Sequence, residues 1–105
     1  MRPDLRRHPQ LVSITISSRV GKKYVAEFDD GKRVHFGANG YGDYIRYSRV
    51  DPLLANKKRM QYIARHGAME QWNDPTTAAT LARYILWEKP TMAESIRYYK
   101  RRFKV

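Results

Sequence analysis

The sequence predicts an α+β domain in which a three-stranded antiparallel β-meander is followed by three α-helices packed on one face of the sheet. Two observations support this fold class: polar and apolar residues alternate up to residue 36, and apolar residues recur every three or four positions from residue 51 onward. A length of 105 residues suits one hydrophobic core. We therefore expect a basic N-terminal arm over residues 1–10 and a single domain over residues 11–105.

Strict alternation marks three predicted strands, residues 11–17, 22–28 and 32–36. This pattern is typical of strands that are buried on one face. The apolar residues that share a face are Val12, Ile14 and Ile16 in the first strand, Tyr24, Ala26 and Phe28 in the second, and Val34 and Phe36 in the third. Gly21 and Asp29-Asp30-Gly31 tolerate positive φ, and we expect them to form the two turns.

The segment after the sheet, Gly37–Tyr47, follows neither period and predicts an irregular loop. Asp51-Pro52 then has the form of an N-cap followed by proline in the first helical turn, so a helix is expected to run through Ala64 to a stop at Gly67. The apolar residues expected on its inner side are Leu53, Met60, Ile63 and Ala64.

Two more helices are expected toward the C-terminus. Asp74-Pro75 repeats the same start signal, and Thr76–Trp87 carries an apolar stripe. That stripe consists of Ala78, Leu81, Tyr84 and Ile85. After Lys89-Pro90, Thr91 and Glu94 have the spacing of a capping box, in which each side chain caps the backbone of the other residue. The third helix is expected to end near Phe103 and to bury a seam of Met92, Ile96, Tyr99 and Phe103.

Charge is the strongest compositional signal, because 21 Lys and Arg against 10 Asp and Glu give a net charge of +11. The surplus is shared between the two halves of the chain, which indicates a basic body and a polyanionic partner. Cysteine is absent, which excludes disulfides and thiolate chemistry and favours a reducing compartment. We find no membrane span and no secretory signal, and we expect a soluble protein.

Catalytic patterns are thin. His8, His35 and His66 lack metal-ligand spacing, no serine stands in a nucleophile elbow, and no carboxylate pair lies in an apolar segment. The glycines of the Gly37–Tyr47 segment could suggest a phosphate cradle, but their order differs from the dinucleotide-binding pattern. We favour the interpretation that they allow sharp turns beside packed tyrosines. We expect no enzyme, no metal, no cofactor and no small-molecule substrate.

Two groups of residues are candidates for partner binding. The first lies in the glycine-rich segment, where aromatic rings beside arginine are typical of interface hot spots: Tyr41, Tyr44, Arg46 and Tyr47. The second forms the basic outer face of the last helix: Arg97, Lys100, Arg101 and Lys104. Trp72 and Trp87 could be interface anchors, although packing in the core is the preferred role for Trp87.

Basic and aromatic residues alternate closely in several segments. This pattern fits two interpretations equally well: nucleic-acid binding, or a solubilising cationic surface over buried tyrosines. The run Lys57-Lys58-Arg59 is expected to be a solvated helix face. Anionic membrane surfaces attract the same cations, but the apolar side of the last helix is better used as cover for the sheet.

Several motifs, in order over about residues 22–103, resemble an uncharacterised family of short basic proteins encoded by large (nucleocytoplasmic) double-stranded DNA viruses. The matching motifs are Phe36-Gly37-Ala38-x-Gly40-Tyr41-x-Asp43-Tyr44, Tyr62-Ile63-Ala64-Arg65-His66, Trp72-Asn73-Asp74-Pro75-x-Thr77-Ala78, and Ile85-Leu86-Trp87-x-Lys89-Pro90-Thr91 with Ser95-Ile96, Tyr99-Lys100 and Arg102-Phe103. The family supplies no catalytic or ligand residues.

The resemblance implies a viral structural protein, such as a minor capsid or virion component that bridges larger subunits through its basic surface. Its partners would be capsid or other virion proteins, and it would be found in the virion and, during assembly, in the host cytoplasm or nucleus. The alternative is a sequence-nonspecific nucleic-acid-binding protein associated with the genome.

Overall fold

The computed structural model describes residues 8–105, and within them it contains one antiparallel sheet of three strands. The strands are β1 (Leu11–Ile16), β2 (Lys22–Phe28) and β3 (Arg33–Ala38), in the order β1-β2-β3. The two connections use glycines with left-handed backbone, Gly21 at φ +83° and Gly31 at φ +89°. The α+β class and the predicted meander are confirmed. Most of the proposed N-terminal arm, residues 1–7, lies outside the described residues.

The helices differ from the prediction in number. They are α1 (Tyr44–Val50), α2 (Pro52–Gly67), α3 (Ala78–Leu81) with a π-helical continuation over Ala82–Leu86, and α4 (Met92–Phe103). The prediction of an irregular loop up to Tyr47 is wrong at its end, because Asp43 caps α1 by accepting a hydrogen bond from the Arg46 amide at 2.9 Å. None of these helices is long and apolar enough to cross a bilayer.

The helix expected to begin at Thr76 begins at Ala78. The Asp74 carboxylate accepts hydrogen bonds from the amide and hydroxyl of Thr76, at 2.9 and 2.8 Å, and so closes a turn before the helix. Thr77 takes the capping role, because its hydroxyl oxygen accepts from the Thr80 amide at 3.2 Å. The following π-helical turn buries four consecutive residues, Arg83 to Leu86.

Two predicted apolar faces are wrong in part. On α2, Leu53 is 80% exposed and Met60 is exposed as well, whereas Ala55 and Tyr62 are buried. On β1, a register shift between Leu11 and Ser13 directs Leu11 into the core and leaves Val12 exposed. Ile16, the last residue of the strand, is exposed as well.

The main core lies between the sheet and the C-terminal helices. Phe28 and Phe36 of the sheet pack in one cluster with Leu81 and Ile85, and Tyr99 of α4 belongs to the same cluster. The predicted α4 seam is observed, with its three other members, Met92, Ile96 and Phe103, partly buried.

The start of α4 carries half of the predicted capping box. Thr91 accepts a hydrogen bond from the Glu94 amide at 3.2 Å, as predicted. The Glu94 carboxylate, however, accepts from the Thr91 hydroxyl at 3.1 Å rather than from the backbone.

Candidate functional site

A cleft of about 510 Å³ lies where the end of the sheet, the loop before α1, helix α2 and helix α3 meet. Its floor is lined by small side chains, including Ala78, Ala79 and Ala82. Such side chains leave room for a ligand without exposing a large apolar surface. The cleft is therefore the first place to test the sequence-based expectation that the protein binds no small molecule.

Two glycines let the elements around the cleft approach each other closely. Gly37 has φ +80°, and a Cβ atom there would stand 2.9 Å from Leu86 Cδ1. At Gly42 a Cβ atom would stand 2.5 Å from Tyr47 Cζ. Both glycines thus serve packing, in line with the turn interpretation of this segment.

Aromatic rings form one wall of the cleft. Tyr62 stacks on Trp87, with ring centres 4.5 Å apart and planes 8° apart, and it stacks on His66 at 4.3 Å. The Tyr47 ring is tilted relative to Trp87, with ring centres 6.4 Å apart. Burial raises the pKa of Tyr62 to about 12, so its phenol stays neutral in ordinary buffers. Trp87 therefore packs within the fold, the role preferred from the sequence.

Positive charge dominates the cleft. Lys22, Lys58 and Arg65 line it, and within residues 8–105 none of them has a carboxylate within ion-pairing distance. Among the described residues, the single carboxylate in the lining belongs to Asp43, which is compensated by Lys23, with Nζ and Oδ2 2.7 Å apart. The cleft thus carries uncompensated cations facing a concave surface, an arrangement that attracts anions.

The predicted contact in the glycine-rich segment is divided by the structure. Tyr41, which is 73% exposed, and Tyr47 line the cleft. Arg46 instead lines a second depression of about 420 Å³, and the Lys23–Asp43 pair borders both. Tyr44 points to neither, since its hydroxyl donates to Asn56 Oδ1 at 3.0 Å.

The predicted basic face of α4 stays together. Its four members are all exposed, and in the described part of the chain none forms an ion pair: Arg97, Lys100, Arg101 and Lys104. None of them lines the cleft. The cleft and the outer face of α4 are therefore separate cationic surfaces, the first concave and the second on the outside of a helix.

The prediction that Lys57-Lys58-Arg59 is a solvated face is wrong for two of its three residues. Lys58 lines the cleft, and its Nζ lies 5.9 Å from the ring centre of Tyr47. Arg59 Nη2 lies 2.5 Å from Glu88 Oε2 and its Nε donates to the Trp87 carbonyl at 2.8 Å. Arg83 also approaches Glu88, Nη1 to Oε1, at 3.3 Å. One carboxylate thereby holds two arginines from different elements.

One group of cleft residues could have been found from its spacing in the sequence. Lys58, Tyr62 and Arg65 are spaced by four and three residues, which places them on one face of α2. That face is the one turned toward Trp87. Lys22 and the α3 alanines are too distant in sequence to be linked to it by any local pattern.

The histidines do not converge. His35 Nδ1 and Ser17 Oγ are 2.7 Å apart, while His66 Nδ1 and Glu70 Oε1 are 2.8 Å apart. Desolvation, together with the charges of Arg19, Arg33 and Lys22, lowers the pKa of His35. Residues 8–105 contain no group of three histidine, aspartate or glutamate side chains placed to hold a metal ion.

Comparison with known protein families finds a match in the first half of the chain. Residues 12–46, about a third of the chain, match the model of a "Family of unknown function (DUF5754)". The match spans most of the sheet, the glycine-rich segment and the first residues of α1. No curated protein and no solved structure matches significantly. The sheet, with the loop that borders the cleft, is therefore similar to an uncharacterised family.

Proposed function

We propose that this chain is a non-enzymatic structural protein of a large double-stranded DNA virus, a minor capsid or virion component that bridges larger subunits through its basic surface. The observation that supports this proposal is the outer face of α4. Arg97, Lys100 and Arg101 are exposed there without ion-pair partners in the described residues. The partner would be an acidic face of a larger protein subunit.

Anchoring of α4 suits it to docking. The Tyr99 ring is completely buried, and its hydroxyl donates to the Pro75 carbonyl at 2.6 Å. Beyond the C-terminal end of α4, Val105 is buried, and the Lys104 carbonyl accepts from Gln10 Nε2 at 3.0 Å. A helix held in its second half and at its C-terminal end keeps its backbone in place, which reduces the entropy lost on binding. Complementary charge would also accelerate the encounter with an acidic surface.

The viral part of the proposal rests on the resemblance of residues 22–103 to short basic proteins of large DNA viruses. The similarity of residues 12–46 to an uncharacterised family is compatible with it and names no activity.

The decisive experiment is to follow incorporation into purified virions. We expect the unaltered protein in particles, and we expect the triple variant Arg97→Gln/Lys100→Gln/Arg101→Gln to be depleted from them. The matched control is Arg19→Gln/Arg49→Gln/Lys57→Gln, which removes the same charge from exposed positions elsewhere. Absence of the unaltered protein from particles, or equal depletion of the two variants, would contradict the proposal.

A second candidate function, sequence-nonspecific nucleic-acid binding, is favoured by one specific observation, the cleft. Cations beside aromatic rings in a concave surface are the means by which single strands are held without sequence preference. If the protein contacts three phosphates of a single strand, raising the salt from 50 to 200 mM should lower the affinity about 20-fold. A gel shift of the full chain at these two salt concentrations tests it, and no binding at 50 mM salt would exclude it.

A further inference from the structure

We propose that the cleft between the glycine-rich loop and α2 binds a nucleoside phosphate, with the phosphate held by Lys58 and Arg65 and the base stacked on Tyr41. This inference rests on the second candidate function and gives it a site. It is independent of the α4 surface, which lies outside the cleft.

The charge of the cleft selects an anion. Lys58 and Arg65 are seven residues apart, about two helical turns, and so lie on the same face of α2. Both line the cleft from α2, and Lys22 lines it from β2. The Lys23–Asp43 pair satisfies the carboxylate of the lining, which leaves these cations for a ligand. An arginine and lysines at one site can surround a phosphate from several directions.

The shape of the cleft suits one nucleotide. Its volume of about 510 Å³ lies within the range of ligand pockets, which is about 300–1,000 Å³. The alanines of α3 line it without filling it, and Gln61 adds a neutral hydrogen-bonding group.

The aromatic rings of the cleft differ in whether a face is free for a base to stack on. Tyr62 is covered on both faces, by Trp87 and by His66, so no base can stack on it. Tyr41 is 73% exposed and has no ring partner in the described part of the chain. It is the ring on which a base can stack. Stacking is possible for single strands and free nucleotides, whose base faces are accessible, and it depends little on base identity.

The first test separates the cleft from the general charge of the protein. Lys57→Gln and Lys58→Gln remove one charge each from adjacent positions of α2, but Lys58 alone lines the cleft. Binding of a fluorescein-labelled oligothymidylate is measured by anisotropy between 50 and 200 mM salt. We expect Lys58→Gln to weaken binding at least fivefold more than Lys57→Gln and to reduce the salt slope by about 0.7. Equal effects would overturn the proposal.

The second test fills the cleft without changing charge. Ala78→Trp places a large ring at an exposed position of the lining, and Ala93→Trp does the same at the first turn of α4, outside it. We expect the first substitution to abolish binding and the second to leave it unchanged. Tyr41→Ala should weaken binding and Tyr41→Phe should preserve it, because the ring and not the hydroxyl provides the stack. Circular dichroism on each variant verifies that it is folded.

Competition identifies the form of the ligand. Thymidine monophosphate and unlabelled oligothymidylate are each added against the labelled strand bound to the unaltered protein. Displacement by thymidine monophosphate supports a site for one nucleoside phosphate, and displacement by the oligothymidylate alone overturns it. Loss of strand binding in Arg97→Gln/Lys100→Gln/Arg101→Gln, with binding retained in Lys58→Gln and Ala78→Trp, would show that the strand binds α4. The proposed cleft site would then be wrong, and nucleic-acid binding as a function would be kept. If the unaltered protein binds no strand at 50 mM salt, both fail.

Discussion

At the scale of single residues, the hydroxyl of Tyr99 joins α4 to the segment before α3. It is completely buried and donates to the Pro75 carbonyl at 2.6 Å. Tyr99→Phe removes the donor and leaves that carbonyl without its partner, which should lower the free energy of unfolding by about 1–3 kcal/mol. Urea denaturation measures it. Tyr98→Phe, at the adjacent half-buried position, is the control and should change stability by less than about 0.5 kcal/mol. Equal losses would show that the hydrogen bond contributes nothing.

His35 gives the stability a dependence on pH. Its pKa is lowered from 6.5 by desolvation and by the nearby charges of Arg19, Arg33 and Lys22, so the unfolded chain takes up a proton at a higher pH than the folded protein does. The free energy of unfolding should therefore fall as the pH drops below about 6.5 and should level off below the folded pKa. His35→Gln should remove this component, since His8 and His66 remain in both proteins. An NMR titration placing the pKa of His35 at 6.5 or above would contradict the argument.

At the scale of the elements, α4 ends in a strained conformation. Lys104 has φ +57° and ψ +49°, the left-handed region in which glycine is favoured. Lys104→Gly should raise the free energy of unfolding relative to Lys104→Ala by about 1 kcal/mol, because both substitutions remove the same charge and only glycine relieves the strain. Thermal denaturation compares the two variants. A glycine variant no more stable than the alanine variant would mean that the end of α4 frays in solution.

The elements also show how far local sequence determines this fold. The turns at Gly21 and Gly31 and the start of α4 at Thr91 were predictable because the signals lie within four residues of each other. The buried face of α2 was not, because Leu53 and Met60 give a periodic apolar stripe while Trp87, far along the chain, packs on Tyr62 instead.

The candidate site divides in the same way. The α4 cations share a face because helical spacing alone places them there, and two of the candidate partner-binding residues, Tyr41 and Tyr47, line the cleft. Arg46 was grouped with them through proximity in sequence, and the Lys23–Asp43 pair separates it. Lys22 and Lys58 line the same cleft only through the tertiary fold, and no pattern in one sequence reports that they do.

At the scale of the whole molecule, Glu88 connects α2 to the turn that follows the π-helical segment, because it pairs with both Arg59 and Arg83. Glu88→Gln would leave two partly buried guanidinium groups without their carboxylate, with Arg83 Nε already lacking a partner within residues 8–105. We expect a loss of about 3 kcal/mol, the lower end for a broken buried pair. The exposed pair of Glu27 with Arg33 provides the control, and Glu27→Gln should cost less than about 1 kcal/mol.

The place where Glu88→Gln loses stability shows whether Glu88 holds α2 in particular or stabilises the whole fold. Because α2 forms a wall of the cleft, hydrogen exchange in Glu88→Gln should accelerate in α2 before it does in the sheet, and the free energy of local opening should fall there first. Nucleotide binding at the cleft should weaken together with that protection, whereas the α4 surface, anchored separately through Tyr99, should keep its affinity for an acidic partner. Equal acceleration in α2 and the sheet would show that Glu88 stabilises the fold as a whole and leaves the cleft and the α4 surface coupled.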